Sequence, residues 1–162
     1  MDLDLDQILP DLFVGSCPLK GDDVDRLRGS FGITAILNLQ TEDDFLFWEI
    51  DWPRLEAHCR EVGVEVRRVP VRDFDVDDIS KRLPAAVDAL DELLRKGHTV
   101  YVHCSAGINR APSTAVAYLH WIRGWDLGEA VRRVKTCREC EPYLEAIVRA
   151  TEDRLRGKPE SD

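Results

Sequence analysis

Two side chains in this sequence have the types and spacing to act together on a phosphoryl group. Cys104 and Arg110 stand with five residues between them in the stretch His103-Cys-Ser-Ala-Gly-Ile-Asn-Arg110. A thiol attacks phosphorus usefully only as the thiolate, and a cysteine at a helix N-terminus, facing aligned backbone N–H groups, ionises more readily near neutral pH. The residues Ser105, Ala106, Gly107, Ile108 and Asn109 supply enough backbone to curl into a cradle whose N–H groups converge on one anion. Gly107 lets the cradle bend tightly, and Arg110 closes it with a planar fork that fits two phosphoryl oxygens better than the point charge of lysine. Cys104 is thus the candidate nucleophile, and residues 105–110 are the candidate phosphate-binding loop. The competing reading, a buried structural thiol beside a surface charge, is the usual fate of a lone cysteine. A strand, a cysteine, a glycine and an arginine in this order weigh against it.

Such a loop needs a strand behind it and a helix in front. Residues 99–102 are a short β-rich run, fit for a central strand that ends at His103-Cys104. Pro112 sits where a first-turn proline belongs, and residues 115–122 continue as an apolar helix. Elsewhere the pattern predicts an edge strand over 8–16 interrupted by Pro10, a helix over 22–28 ended near Gly29, and a buried strand over 33–39. Residues 40–51 show neither helical nor strand periodicity and are read as an excursion loop. Pro53 opens a helix that Gly63 closes, residues 64–69 form a further strand, and the acidic run 73–78 is a loop. The next helix carries Leu83, Val87, Leu90, Leu93 and Leu94 at core-facing spacing and stops at Gly97. Helices over 127–137 and 142–156 follow. Strands alternating with helices give an α/β class, a central mostly parallel sheet flanked by helices.

The chain has 162 residues, 44% of them hydrophobic, which suits one core. A single domain over 1–156 with a disordered tail over 157–162 is expected. A net charge of −9 disfavours nucleic acid and acidic membrane surfaces as partners, so an anionic substrate must be captured locally. No run approaches the about 20 apolar residues of a membrane helix, and the start Met-Asp-Leu-Asp-Leu-Asp is acidic where a secretory signal is basic. A soluble, cytoplasmic monomer is the expectation. The cysteines at 17, 59, 104, 137 and 140 lack the dense spacing of a disulfide framework. Cys137 and Cys140 form a C-x2-C pair with no second pair to complete a zinc site, so packing is the expected role.

The loop at 103–110 resembles the His-Cys-x5-Arg signature of the protein tyrosine phosphatase superfamily, in its compact dual-specificity branch, and the likeness extends over nearly the whole chain. The resemblance implies a dual-specificity phosphatase fold and a cysteinyl-phosphate intermediate, with no metal or other cofactor. It also implies that His103 organises the loop, and that an aspartate on a separate loop protonates the leaving oxygen. Arg72-Asp-Phe-Asp75 is the matching stretch, which makes Asp73 the candidate acid ahead of Asp75 and Asp77. One departure is Ala111, where many members carry Ser or Thr; Ser113 lies further along the helix.

Within that branch the chain is most similar to the glucan phosphatases, laforin and the plant starch-excess enzymes. The similarity rests on Leu9-Pro-Asp-Leu-Phe-Val-Gly-Ser16, Ile36-Leu-Asn-Leu-Gln40, Arg72-Asp-Phe-Asp75, Arg110-Ala-Pro112 and Leu144-Glu-Ala-Ile147. It implies a phosphorylated glucan, starch or glycogen-like, as substrate, with a phosphoprotein as the alternative. It also implies that Phe47, Trp48 and Phe74 serve as aromatic platforms for sugar faces. Burial against the following helix is the other reading of Phe47 and Trp48. Asn109 stands where the family usually has Gly, and Glu141 where the plant enzymes have an aromatic.

Overall fold

The computed structural model describes residues 2–157. In chain order its elements are β1 (Leu5–Leu9), β2 (Leu12–Gly15), α1 (Gly21–Phe31), β3 (Ala35–Asn38), α2 (Glu42–Phe47), α3 (Trp52–Glu61), β4 (Glu65–Arg68), α4 (Val76–Arg95), β5 (Val100–His103), α5 (Arg110–Trp121), α6 (Leu127–Cys137) and α7 (Leu144–Leu155). The strands form one sheet in the order β1-β2-β5-β3-β4, parallel except for the β1–β2 hairpin. The expected α/β class, a mostly parallel sheet flanked by helices, is the observed one.

β5 is the central strand, with Gly15 of β2 and Asn38 of β3 both paired to His103 at its C-terminal end. All four of its residues are buried, as a strand covered on both faces requires. Alternation along it divides the core. Val100 and Val102 face the cluster formed with α4, α5, α6 and α7, whereas Tyr101 faces the smaller cluster that holds Val24 and Leu27 of α1 and Leu55 and Cys59 of α3. The strand is thereby clamped from both sides, and its end is a fixed point from which the loop departs.

Several boundaries differ from the sequence reading for identifiable reasons. The edge strand over 8–16 is two strands, because Pro10 and Asp11 turn the chain into a hairpin. The first helix passes Gly29 and ends at Gly32, whose φ of 68° supplies the left-handed cap. Asp75 caps α4 by accepting from the Asp78 amide, so the acidic run is half loop and half helix. The helix after the loop begins at Arg110 itself, ahead of Pro112. The last helix starts at Leu144, two residues after Pro142, and Gly157 makes a turn behind it; the rest of the expected tail, 158–162, lies outside the described residues.

The largest correction is at 40–51, expected to be a loop. Residues 42–47 form α2, started by a capping box in which the Thr41 hydroxyl accepts from the Asp44 amide and the Asp44 carboxylate accepts from the Thr41 amide. α2 is fixed to α3 by stacking of Phe45 on Trp52, at 5.3 Å between ring centroids, and to β4 by the Arg68 guanidinium 4.8 Å from the Phe45 ring. Arg68 also donates to the Gln40 carbonyl at 2.7 Å.

Candidate active site

The loop 104–109 joins the end of β5 to the first turn of α5, so the N-terminal amides of α5 point into it. Cys104 lies at its base and is 3% exposed. His103, also buried, places Nδ1 at 2.9 Å from the Cys104 carbonyl oxygen. Burial drives the His103 pKa down to about 4, so the ring is neutral at pH 7. A carbonyl only accepts, so Nδ1 carries the proton and donates. Gly107 has a φ of 74°, and a Cβ there would lie 2.4 Å from the Gly15 carbonyl carbon and 2.8 Å from Arg138 Nη2. No other residue fits the position, on conformational and on steric grounds alike.

Arg110 is 1% exposed, and its guanidinium is held on one edge by a group the sequence reading did not single out. Nη1 donates to Asp44 Oδ2 at 2.8 Å and Nη2 to Asp44 Oδ1 at 3.2 Å, a bidentate pair, while Nη1 also donates to the Val71 carbonyl at 2.8 Å. Burial alone would raise the Asp44 pKa; hydrogen bonds from Arg110 and from the Thr41 amide, with the Arg110 charge, bring it below the usual carboxylate value. Burial alone would lower that of Arg110, and the hydrogen bond with Asp44 and the charges of Cys104, Asp44 and Asp73 keep it above the ordinary value. Asp44 also accepts from the Ser105 hydroxyl at 3.1 Å, so one carboxylate holds both ends of the loop. Its sequence signal was present: Thr41-Glu42-Asp43-Asp44 is the threonine-to-acid spacing of a capping box.

A guanidinium has three edges, and Asp44 uses the one between Nη1 and Nη2. Arg110 Nε is buried and has no partner among the described residues. Nε, on the edge it shares with Nη2, is therefore the unspent donor of this guanidinium.

Asp73 Oδ2 lies 3.3 Å from Arg110 Nη2, and its other oxygen accepts from the Phe74 amide at 3.1 Å. Its two rivals are occupied elsewhere: Asp75 caps α4, and Asp77 pairs with Arg149 on α7. Phe74 takes a φ of 59°, a conformation uncommon for a bulky residue, and the residue is 78% exposed. Phe47 is 76% exposed at the end of α2 and meets Trp48 edge-on at 5.0 Å. Trp48 is half-buried against the smaller core cluster and lines a cleft of about 830 Å³ with Leu19, Leu55 and His58. Phe47 and Phe74 thus offer open faces, whereas Trp48 divides its ring between core and cleft.

The remaining candidates are loop supports. Asn109 donates from Nδ2 to the Glu141 carbonyl at 2.8 Å, which ties the loop to the α6–α7 connection. Ser113 donates to the Asn109 carbonyl at 2.7 Å and accepts from the Tyr143 amide, so it braces the loop from the helix side. Cys140 is buried and Cys137 packs against the same apolar cluster.

Residues 12–144 match the family model described as the dual specificity phosphatase catalytic domain. The chain belongs to the dual-specificity phosphatase family. This dual-specificity phosphatase domain is 40% identical over 152 residues to "Phosphoglucan phosphatase DSP4, amyloplastic" of Castanea sativa, covering 93% of this chain and 40% of that protein. Laforin of Mus musculus is 34% identical, over 75% of this chain and 40% of that protein. Dual specificity protein phosphatase 5 of Homo sapiens is 31% identical, over 80% and 30%. The chain therefore spans well under half the length of these relatives. Among solved structures, PTPMT1 in complex with PI(5)P superposes with a TM-score of 0.75 at 21% identity over 93% of this chain and 97% of that one, a likeness of fold. Among the described residues of the domain, no helix is long and apolar enough to cross a membrane.

Proposed function

We propose that this domain hydrolyses phosphomonoesters through a phosphocysteine at Cys104, and that its substrate is a phosphorylated glucan. In the first step the Cys104 thiolate attacks phosphorus, the P–O bond to the leaving group breaks, and Asp73 gives that oxygen its proton. In the second, Asp73 as carboxylate takes a proton from water, the water oxygen bonds to phosphorus, and the P–S bond breaks to release inorganic phosphate and the thiolate. The loop amides of residues 105–110 and the Nε and Nη2 donors of Arg110 stabilise the equatorial oxygens as charge shifts onto them. All these groups come from one chain, which suits action as a monomer.

The observation that carries the phosphatase reading is the unspent Nε–H of Arg110, buried on a guanidinium whose opposite edge Asp44 already holds. A buried donor without a partner is costly, and a phosphoryl oxygen would satisfy it. The glucan reading rests on the exposed side chains of Phe74 and Phe47, which match the apolar faces of sugars, and on a relative named for phosphoglucan. The relatives named as protein phosphatases support the second reading, a phosphoprotein substrate. Phosphate release from solubilised phosphorylated amylopectin and from phosphopeptides, at matched phosphate concentration, separates the two. Amylopectin turned over the faster is the expected result, and preference for the peptides refutes the glucan assignment.

A further inference from the structure

An amide N–H can point into an anion-binding loop only if its own peptide carbonyl points out. Each outward carbonyl must then find a donor on the far side. From Cys104 to Arg110 every one does. His103 Nδ1 serves Cys104, the Cys17 amide serves Ser105, the Glu141 amide serves Ile108, the Ser113 amide and hydroxyl serve Asn109, and the Thr114 hydroxyl serves Arg110. The two carbonyls in the middle, Ala106 and Gly107, are taken by a single side chain. Arg138 donates from Nη2 to the Ala106 carbonyl at 3.0 Å and from Nε to the Gly107 carbonyl at 2.7 Å.

Arg138 is 5% exposed, the second buried arginine at this loop after Arg110. Its remaining nitrogen donates to Asp4 at 2.5 Å and to Asp6 at 3.0 Å, on and beside β1. A charge sandwiched in this way contributes donors to the back of the loop while its field is largely cancelled by two carboxylates. The surrounding packing leaves little freedom, since Gly107 touches both Gly15 and the Arg138 guanidinium.

We propose that Arg138 is a positioning residue for phosphoryl transfer: by holding the Ala106 and Gly107 carbonyls outward, it fixes the amides of the loop's midpoint on the phosphate. This inference rests on the phosphatase reading. Peptide units freed from Arg138 can rotate, and each rotated unit replaces a donor at the anion with an acceptor. Both the Cys104 thiolate and the bound phosphoryl group depend on those donors, so both are weakened together.

The test is kinetic and thermal characterisation of wild type, Arg138→Lys and Arg138→Gln with p-nitrophenyl phosphate. It is combined with inhibition by inorganic phosphate and the pH dependence of Cys104 alkylation by iodoacetate. Wild type without turnover refutes the phosphatase reading itself. Given an active wild type, Arg138→Lys keeps one donor and loses about tenfold in kcat/KM, and Arg138→Gln loses about 100-fold, the scale set by small misplacements of reacting groups. In both, phosphate inhibits more weakly and the alkylation midpoint moves to higher pH. The titratable groups around Cys104, namely Cys17, Asp44, Asp73, Tyr101, His103 and Arg110, are unchanged in these variants. A lower melting temperature with alkylation midpoint and phosphate inhibition unmoved makes Arg138 merely structural and overturns the proposal. Should the Arg138 variants fail to fold, the Asp4→Asn/Asp6→Asn double variant retains the donors and removes their counter-charges. Its alkylation midpoint must fall, and one that stays or rises overturns the proposal equally.

Discussion

At the scale of single residues, the proposed chemistry depends on a guanidinium held in a bidentate pair by a carboxylate outside the signature. Arg110 is buried with Asp44 on one edge, and removing Asp44's charge leaves that guanidinium without its bidentate partner. Asp44→Asn is expected to lower kcat/KM on p-nitrophenyl phosphate about 100-fold, by loss of orientation. It should also cost about 3 kcal/mol in urea unfolding, the scale for breaking one side of a buried pair. Unchanged kinetics would mean that the loop alone orients Arg110. Acid should act on the same neighbourhood through His103. Its folded pKa of about 4 lies below the unfolded value near 6.5, so the unfolded chain binds the proton first. The stability it permits is complete above about pH 6.5 and declines as pH falls toward 4, by on the order of 3 kcal/mol. Asp44, also depressed, adds a further loss as pH falls below the ordinary carboxylate range. His103→Asn keeps a donor for the Cys104 carbonyl without titrating, and stability measured by chemical denaturation should then be flatter between pH 6.5 and pH 4.

At the scale of elements, what could be read in the sequence was whatever periodicity and punctuation encode. The central strand, the apolar helix after the loop and the closing glycines at 63 and 97 were legible, because β-rich runs, 3.6-residue spacing and left-handed caps leave local marks. α2 was not, because six residues give a helical period too little length to register, and its aromatic residues face two directions: Phe45 inward, Phe47 outward. The same shortness hid Asp44, whose meaning lies in a contact with Arg110 across 66 residues of chain. The choice of Asp73 among three acids came from resemblance; in the structure Asp73 lies beside Arg110, whereas Asp75 caps α4 and Asp77 pairs with Arg149. The helix cap offers a graded test of how far α2 positions the site. Thr41→Ala removes one half of the capping box, should cost about 1 kcal/mol in stability, and should lower kcat/KM by a smaller factor than Asp44→Asn. An Asp44→Asn variant less impaired than Thr41→Ala would show that α2 matters for packing rather than for Arg110.

At the scale of the whole molecule, the site is a small set of local donors in a chain of net charge −9. Arg110 is paired with Asp44 and Asp73, and Arg138 with Asp4 and Asp6, so even the two buried arginines of the loop do little to offset the surrounding field. A substrate that carries one phosphate on a neutral chain meets this field only through that phosphate. An acidic phosphopeptide meets it along its whole length and is repelled. Salt distinguishes the two, since the Debye length falls from about 30 Å at 0.01 M to about 8 Å at 0.15 M ionic strength. Over that range kcat/KM on an acidic phosphopeptide should rise as repulsion is screened, whereas kcat/KM on soluble phosphorylated amylopectin should change little or rise only slightly. The opposite pattern, a steep fall with salt on peptides, would require a local basic surface that outweighs the net charge, and would point to selection for acidic protein substrates.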